Sequence, residues 1–356
     1  ITVNEQQLQA LKGQGVGSFK QVLTFTVNAP TSGIDGLSVT VDANIGQSGI
    51  QIIGKTGHTM TFRGVNGMTY QVTDQISGAG VGTPPKTDAQ GVGTAEELEK
   101  NKEYKIQNAA YQNSITAKTM QVDAQNIAQA FADAGATTEW NNQKTLGEKA
   151  TNSSVEVTVN GNNGYKIKLL KDINRTVKIP DIWENVTLDL NGHTIQGLNA
   201  TDGQSAQPGL IFEGATAAEK PGTHLTVINS GNSGAIKGGS GSTEFPDGAA
   251  GVLANTDAAK AEITVGKGAA IFGGNGADGK ADATAKAAGN LNGGKGGNGI
   301  SGNILATVTD GGSVTGGKGG NGADAANGAP GKGGDGGVGI QTNHKNVTVK
   351  DRGTVT

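Results

Sequence analysis

Glycine recurs at every third position in the second half of the chain, and this spacing restricts the possible folds more than any other feature. The four longest series are Gly273, Gly276 and Gly279, then Gly293, Gly296 and Gly299, then Gly316, Gly319 and Gly322, then Gly331, Gly334 and Gly337. A period of three is that of a polyproline-II-type helix, in which glycine at every third position lets neighbouring helices touch backbone to backbone. The spacing therefore predicts hairpins of two antiparallel polyglycine-II-like arms that stack on one another.

Shorter series follow the same rule at Gly238 and Gly241, and at Gly248 and Gly251. The segment from Gly197 to Pro208 lacks the period, and we expect an ordinary loop there. Composition alone leaves a second interpretation open, in which all these segments are flexible glycine-rich loops without fixed structure.

The glycine series interrupt an internal repeat of short apolar runs. The first run of each repeat is Thr194-Ile195, Ala235-Ile236, Ala270-Ile271 and Ser313-Val314, at separations of 41, 35 and 43 residues. A second run follows each excursion, at 209–212, 251–253, 299–300 and 337–340, and a third lies at 225–228, 262–265, 305–308 and 346–349. Separations of about 20–50 residues are typical of solenoids. Three short strands per turn, repeated four times, predict a β-solenoid.

A solenoid also accounts for the low apolar content of the chain. Only 34% of the 356 residues are hydrophobic and 61 are glycine, whereas about 45–50% apolar residues, glycine included, is usual in a globular domain. We therefore do not expect a single compact core. In stacked coils only the inward position of each strand has to be apolar, because every backbone group pairs with the coil above or below.

The first coils carry a resemblance to a known family. Residues 165–197 read YKIKLLKDINRTVKIPDIWENVTLDLNGHTIQG, which closely resembles the opening coils of pectin-lyase-like right-handed parallel β-helices in large bacterial surface proteins. The resemblance implies that fold for about residues 165–356. It also implies a short amphipathic helix just before the first coil, where this chain has the polar stretch 151–164 instead.

The preceding residues have a different pattern. Alternating apolar runs predict strands at 19–28, 37–44, 50–55, 60–63 and 68–73, arranged as an antiparallel meander. One helix is expected after Asp123 as N-cap, with Ile127, Ala130, Phe131 and Ala134 as its apolar stripe and Gly135 as its C-cap. The predicted organisation is a β-rich module at 1–73, a loop or linker at 74–94, an α+β segment at 95–150 that packs on the module, and the β-helix at 151–356.

Charge and hydropathy limit the classes of partner that we expect. The formal net charge is −3 and there is no basic stripe, so we expect no nucleic-acid partner. No apolar run approaches 18 residues, so we expect no membrane insertion. The chain has no cysteine and begins at Ile1 without a signal-peptide pattern. We expect a mature or excised chain, whose solenoid continues beyond the strand that begins near Thr356.

Two segments partly match a known calcium-binding sequence motif. Residues 273–278 and 319–324 match the first six positions of the G-G-x-G-x-D-x-U-x calcium nonapeptide. Position eight, however, is Lys280 or Ala326 instead of a large apolar residue. We therefore expect no metal site and no cofactor.

The resemblance also raises the possibility of a polysaccharide lyase or glycosidase, because pectin-lyase-like helices include both. Such enzymes need clustered acids or bases on one outer face. Asp172, Asp181, Glu184 and Asp189 lie near the first coil and are not repeated from coil to coil. Asp189 and His193 are interpreted as turn-stabilising or outward polar groups. We predict no catalytic residues and no enzyme activity.

The functional expectation is a structural or adhesive protein of the bacterial cell surface, secreted and extracellular. Its rigid β-helix would present the glycine-rich hairpins to a glycan or protein of a host or neighbouring cell. One alternative is a subunit of a surface filament or phage-like fibre, in which residues 1–150 mediate self-assembly. The polysaccharide-active enzyme is the other.

Overall fold

The computed structural model of the chain describes most residues in two compact units. The described residues are 18–25, 37–44, 49–108, 113–143, 147–160, 164–183, 185–213, 223–254, 261–281, 291–324, 330–343 and 347–356. The first unit comprises 1–123, 142–148 and 161–163, and the second 124–141, 149–160 and 164–356. Among the described residues the structure is mainly β, with a single helix.

The first unit contains eight strands among its described residues. They are β1 (Ser18–Phe25), β2 (Leu37–Asn44), β3 (Gln51–Lys55), β4 (Met60–Arg63), β5 (Gln71–Asp74), β6 (Val92–Ala95), β7 (Glu103–Asn108) and β8 (Asn113–Lys118). They pair antiparallel as β1-β2, β3-β4-β6 and β5-β7-β8. The five predicted strands are confirmed with bounds shifted by at most three residues. The expected simple meander is wrong, because β5 pairs with β7 instead of β4.

Aromatic side chains fill the core of this unit. Phe62 and Tyr70 are buried and meet edge to face, with ring centroids 4.8 Å apart. Tyr104 and Ile106 alternate inward from β7 into the same cluster. The segment 74–94 lies against β5 and the residues just before it, since Tyr70, Val72 and Met68 all exchange backbone hydrogen bonds with it.

The second unit contains the helix α1 (Ala124–Phe131) and the remaining strands, except for residues 142–143 and 147–148 at the ends of two of them, which fall in the first unit. The strands are β9 (Glu139–Gln143), β10 (Gly147–Thr151), β11 (Val155–Asn160), β12 (Gly164–Leu169), β13 (Val177–Ile179), β14 (Asn185–Asp189), β15 (Thr194–Gln196), β16 (Leu210–Phe212), β17 (Thr223–Ile228), β18 (Ala235–Lys237), β19 (Val252–Ala254), β20 (Ala261–Val265), β21 (Ala270–Phe272), β22 (Ile300–Gly302), β23 (Leu305–Val308), β24 (Ser313–Thr315), β25 (Ile340–Thr342), β26 (Val347–Val349) and β27 (Thr354–Val355). Each predicted run of the repeat overlaps a strand, although the last two second runs do so by one residue only, because β22 begins at Ile300 and β25 at Ile340.

These strands form three sheets that the chain visits in rotation. Sheet A has the order β26-β23-β20-β17-β14-β12-β11-β10-β9, sheet B the order β13-β16-β19-β22-β25, and sheet C the order β15-β18-β21-β24-β27. From β12 to β27 all pairings between successive coils are parallel. Each coil passes from sheet A to sheet C, makes an excursion, and returns through sheet B. The arrangement is compatible with a β-helix-like fold.

Inward side chains stack in register between the sheets. In sheet C, Ile195, Ile236, Ile271 and Val314 occupy equivalent positions in four coils, and all are fully buried. The anchor pairs that the sequence repeat predicted are therefore neighbours in space. Each strand contributes at most three inward apolar residues, which is why a chain of low apolar content can build this core.

The first coil is covered by antiparallel strands and by the helix. β11 pairs antiparallel with β12 and with β10. Helix α1 packs on β11 and β13, and Phe131 stacks on Trp183 at 6.3 Å between ring centroids. The amphipathic helix that the resemblance implied is thus supplied by residues upstream of the polar stretch.

The start of the helix matches the sequence better than its end and its buried face do. It begins directly after Asp123, as predicted, but it ends at Phe131, so Gly135, whose φ is +78°, lies in the following turn and is not the C-cap. The buried residues are Ala124, Ile127, Ala128 and Phe131, so the prediction of Ala130 and Ala134 as core residues is wrong, because both are exposed.

Candidate functional site

The excursions between sheets C and B carry the predicted glycines and lie side by side. Each has an outgoing arm, which follows the sheet C strand, and a returning arm, which leads to the sheet B strand. The described arm residues are 197–209 in the first excursion, 238–251 in the second, 273–281 and 291–299 in the third, and 316–324 and 330–339 in the fourth. Hydrogen bonds join these arms with a period of three residues.

The first residue of each triplet bonds along the stack. The Gly276 N–H donates to the carbonyl oxygen of Lys318 in the next coil, at 2.8 Å. The Gly293 N–H donates in the same way to Lys332 O, also at 2.8 Å. Equivalent bonds run from Gly241 to Asn275, from Gly279 to Asn321, from Gly248 to Lys295 and from Gly296 to Asp335.

The second residue of each triplet bonds across, between outgoing and returning arms, except in the last returning arm, where Gly334 and Gly337 of the first position donate these bonds. A continuous zigzag of N–H to carbonyl bonds runs from Gly337 to Gly317, from Gly317 to Gly297, from Gly297 to Gly274 and from Gly274 to Ala249. A second zigzag lies three residues further out and runs from Gly334 to Gly320, from Gly320 to Gly294 and from Gly294 to Ala277. The arms are therefore bonded in two directions at once.

The third residue of each triplet uses side chains. Asn275 Oδ1 accepts the backbone N–H of Lys318 at 3.0 Å, and Asp247 Oδ1 accepts that of Lys295 at 2.7 Å. Asp278, Asn292 and Asn298 act in the same way toward Asn321, Lys332 and Val338. We call these side chains the Asx ladder. Sequence reasoning missed it, although the third positions of GGN and GAD are its signal.

Glycine is required where carbonyl groups of a neighbouring arm approach the Cα atom. A Cβ atom on any of the twelve glycines predicted as site residues would lie 1.9–2.6 Å from a backbone oxygen, a distance at which the backbone must shift. Those twelve are Gly273, Gly276, Gly279, Gly293, Gly296, Gly299, Gly316, Gly319, Gly322, Gly331, Gly334 and Gly337. A second series was missed: Gly274, Gly294, Gly297, Gly317 and Gly320 are equally crowded, with Cβ distances of 1.8–2.0 Å.

The first excursion is a short hairpin in the same stack, and not an ordinary loop. The N–H groups of Gly197 and Ala200 donate to Lys237 O and Ser240 O, both at 2.8 Å. The hairpin then closes at Thr201 and Gln204, which exchange backbone hydrogen bonds.

Acidic side chains near the first coil bond to backbone amides. Asp189 is buried, and its Oδ1 accepts the N–H groups of Asn191 and Ser230. Asp172 Oδ1 accepts the Thr194 N–H, and the Nδ1 atom of His193 lies 3.4 Å from it. The turn-stabilising interpretation of Asp189 is confirmed. Glu184 lies outside the described residues, and Asp181 is half-buried.

The segments that resemble a calcium nonapeptide are parts of the arms. Asp278 belongs to the Asx ladder, and Asp324 forms an isolated bridge with Pro330. Among the described residues no group of three or more histidine or acidic side chains could hold a metal ion.

The carboxyl group of Asp74, in the first unit, has a strongly lowered pKa. The Asp74 side chain accepts a hydrogen bond from Lys102 Nζ at 2.7 Å and further bonds from the N–H groups of Ile76 and Ser77. The Lys102 bond, followed by the backbone bonds, holds the pKa of Asp74 well below its usual range and raises the pKa of Lys102. The bonds to Ile76 and Ser77 stabilise the turn that follows β5.

Comparison with known proteins identifies no relative. No model of a known protein family matches the chain, and neither the curated proteins nor the solved structures include one with significant similarity. In the part of the chain that the structure describes, no helix is both long and apolar enough to span a membrane.

Proposed function

We propose that the chain is part of an extracellular bacterial surface protein with a structural and adhesive role. In this proposal residues from about 165 to 356 form a right-handed parallel β-helix of the pectin-lyase-like kind. Two observations support it: the chain visits three parallel sheets in turn, and the inward residues of sheet C stack in register. The arms are its polyglycine-II-like presentation surface.

The observation that carries the proposal is the extensive hydrogen bonding of arm amides. In the triplet Gly293, Gly294 and Lys295, one N–H bonds along the stack, one bonds across it, and one bonds to the Asx ladder. Ordering a backbone residue costs about 1–2 kcal/mol, and glycine has the most freedom to lose. A chain that orders so many glycines presents a fixed, protease-resistant surface, which suits a protein exposed outside the cell.

A polysaccharide-active enzyme has weaker support. Such an enzyme needs acid and base groups free to exchange protons with a substrate. Asp189 and Asp172 instead accept backbone N–H groups within the turns. The adhesive role needs no titrating pair, and we retain it as the better proposal.

The proposal is tested on intact cells of the source organism with antibodies raised against the purified chain. We expect labelling without permeabilisation, and loss of that labelling after brief protease shaving of the cells. Labelling that requires permeabilised cells would overturn the surface role. In a separate test, an experimentally determined structure with left-handed coils would contradict the proposed fold.

A further inference from the structure

A cleft lies at the tips of the first two hairpins, away from the glycine triplets. Its volume is about 680 Å³, within the range of about 300–1,000 Å³ that is usual for ligand sites. Its lining includes Arg175, Leu198, Gln204, Ser205, Gln207 and Phe245. Four of these side chains belong to the first excursion, which departs from the glycine pattern, whereas Phe245 comes from the second excursion and Arg175 from the turn before β13.

Hydrogen bonds hold the walls of the cleft in place. Thr201 and Gln204 exchange backbone bonds of 3.0 and 3.1 Å at the first tip. At the second tip the Ser242 N–H donates to Phe245 O at 2.8 Å. Glu244 joins the two tips, because its Oε2 accepts the Gly203 N–H at 3.0 Å. A ligand would therefore meet a preformed surface, which lowers the entropy lost on binding.

The lining combines apolar faces with uncommitted amide and hydroxyl groups. Leu198 is 49% exposed, and the Phe245 ring is half-buried. The side chains of Gln204 and Ser205 make no hydrogen bond to the described part of the protein. Gln207 donates through Nε2 to Ser205 O at 3.0 Å, which leaves its Oε1 as an acceptor. Amide and hydroxyl groups both donate and accept.

The one charged side chain among these lining residues, Arg175, already donates hydrogen bonds within the protein. Arg175 Nη2 donates to the carbonyl oxygens of Ala130 and Ala132 near the end of α1, each at 3.0 Å. Its charge therefore stabilises the helix terminus. The described lining includes no carboxylate that would bind a cation, and both terminal nitrogens of Arg175 already donate to backbone carbonyl oxygens, since Nη1 bonds to Thr176 O at 3.4 Å.

We propose that this cleft binds a neutral oligosaccharide. The apolar C–H face of a sugar ring packs on Phe245 and Leu198, while its hydroxyl groups bond to Gln204, Ser205 and Gln207 Oε1. This inference rests on the proposed adhesive function, for which it names the ligand class.

The test uses the purified full chain and isothermal titration with neutral trisaccharides of glucose, mannose and N-acetylglucosamine. Sialyllactose and trigalacturonic acid serve as acidic probes. We expect saturable binding of at least one neutral trisaccharide. Gln204→Ala and Phe245→Leu, which keeps an apolar group at the tip, should each weaken it by at least about tenfold. Gln71→Ala, at an exposed glutamine of the first unit, should leave it unchanged.

Three outcomes would overturn the inference: no saturable binding of any neutral probe, binding of acidic probes alone, or neutral binding that the cleft variants do not weaken. The cell-labelling experiment separates this inference from the proposed function. Surface labelling without oligosaccharide binding rejects the cleft and keeps the surface role. Cleft-dependent binding by a chain found only inside cells keeps the cleft proposal and rejects the surface role.

Discussion

The sheets and the arms of the second unit are both stacked with the period of a coil, but different atoms hold them together. In sheet C, Ile195, Ile236 and Ile271 pack side chain on side chain. In the arms the contacts are almost entirely between backbone atoms, as where Gly297 meets Gly274 and Ala249. The difference teaches that one repeat can be stabilised by apolar burial in one part and by amide pairing in another.

The two regions should therefore respond oppositely to changes in side-chain size. An apolar core loses stability when atoms are removed and tolerates swaps of similar volume. A backbone-packed arm has no side chain to lose and is disrupted by the addition of one methyl group. The predictions below begin with the largest expected effect.

Removing core volume should have the largest effect. Ile271 is fully buried in register between Ile236 and Val314. Ile271→Ala should lower the free energy of unfolding by about 3 kcal/mol, and Ile271→Val by about 1 kcal/mol. Urea unfolding followed by circular dichroism measures both. Equal losses for the two variants would show that the stack is not close-packed.

Adding one methyl group to an arm should have the next largest effect. An alanine Cβ at Gly297 would lie 2.0 Å from Ala249 O, whereas one at Gly336 would lie 3.7 Å from Gly317 O. Gly297→Ala should cost about 2 kcal/mol because the neighbouring backbone has to move. Gly336→Ala is the matched control and should change stability by less than about 0.5 kcal/mol.

Hydrogen exchange localises this effect, because an arm can open without unfolding the sheets. We expect Gly297→Ala to accelerate amide exchange across 291–299 and its bonded neighbours, while the strands of sheet C exchange as before. Similar acceleration by both glycine variants would contradict backbone packing of the arms.

Breaking one rung of the Asx ladder should have a smaller effect. Asn275→Ala leaves the Lys318 N–H without its acceptor and should cost about 1 kcal/mol. Asn275→Asp keeps an acceptor oxygen and should restore most of the loss. Asn321→Ala is the control, because no described backbone N–H bonds to the Asn321 side chain. Equal unfolding free energies for Asn275→Ala and Asn321→Ala would argue against the ladder.

Acid should affect the first unit through Asp74, whose pKa is lowered chiefly by its bond to Lys102. A carboxyl group with a lowered folded pKa contributes its full stability above the unfolded value of about 3.9. That contribution is lost as the pH falls from there through the folded pKa. Asp74→Asn should therefore flatten the decline in protection of residues 71–77 below about pH 4. Hydrogen exchange at matched intrinsic rates tests this, and an unchanged decline would exclude Asp74 as its source.

The sequence predicted the strands of the second unit well because their signals are local. Each apolar run, such as Ala270-Ile271, is complete within a few residues, and its repetition marks the coil. The glycine period was equally visible. Only one glycine of each triplet was predicted to be crowded, however. A period of three residues does not show that an arm has close neighbours on two sides, so the second crowded glycine was missed.

What the sequence missed depends on residues about 40 positions apart. The Asx ladder pairs Asn275 with Lys318, and no local pattern marks that partnership. The cleft is lined by both Leu198 and Phe245, which only the stacking of excursions brings to the same place. The apolar stripe of α1 predicted a packed face, but it could not identify β11 and β13 as the surface that it covers.

The three positions of an arm triplet also govern which insertions and deletions the excursions can accept. One added residue in an arm rotates every later residue to a new face, so that a lysine such as Lys295 would move to a position where even a methyl group does not fit. Three added residues restore the phase and only lengthen the arm. Arms should therefore change length in steps of three, whereas a strand of sheet C keeps its inward face only in steps of two.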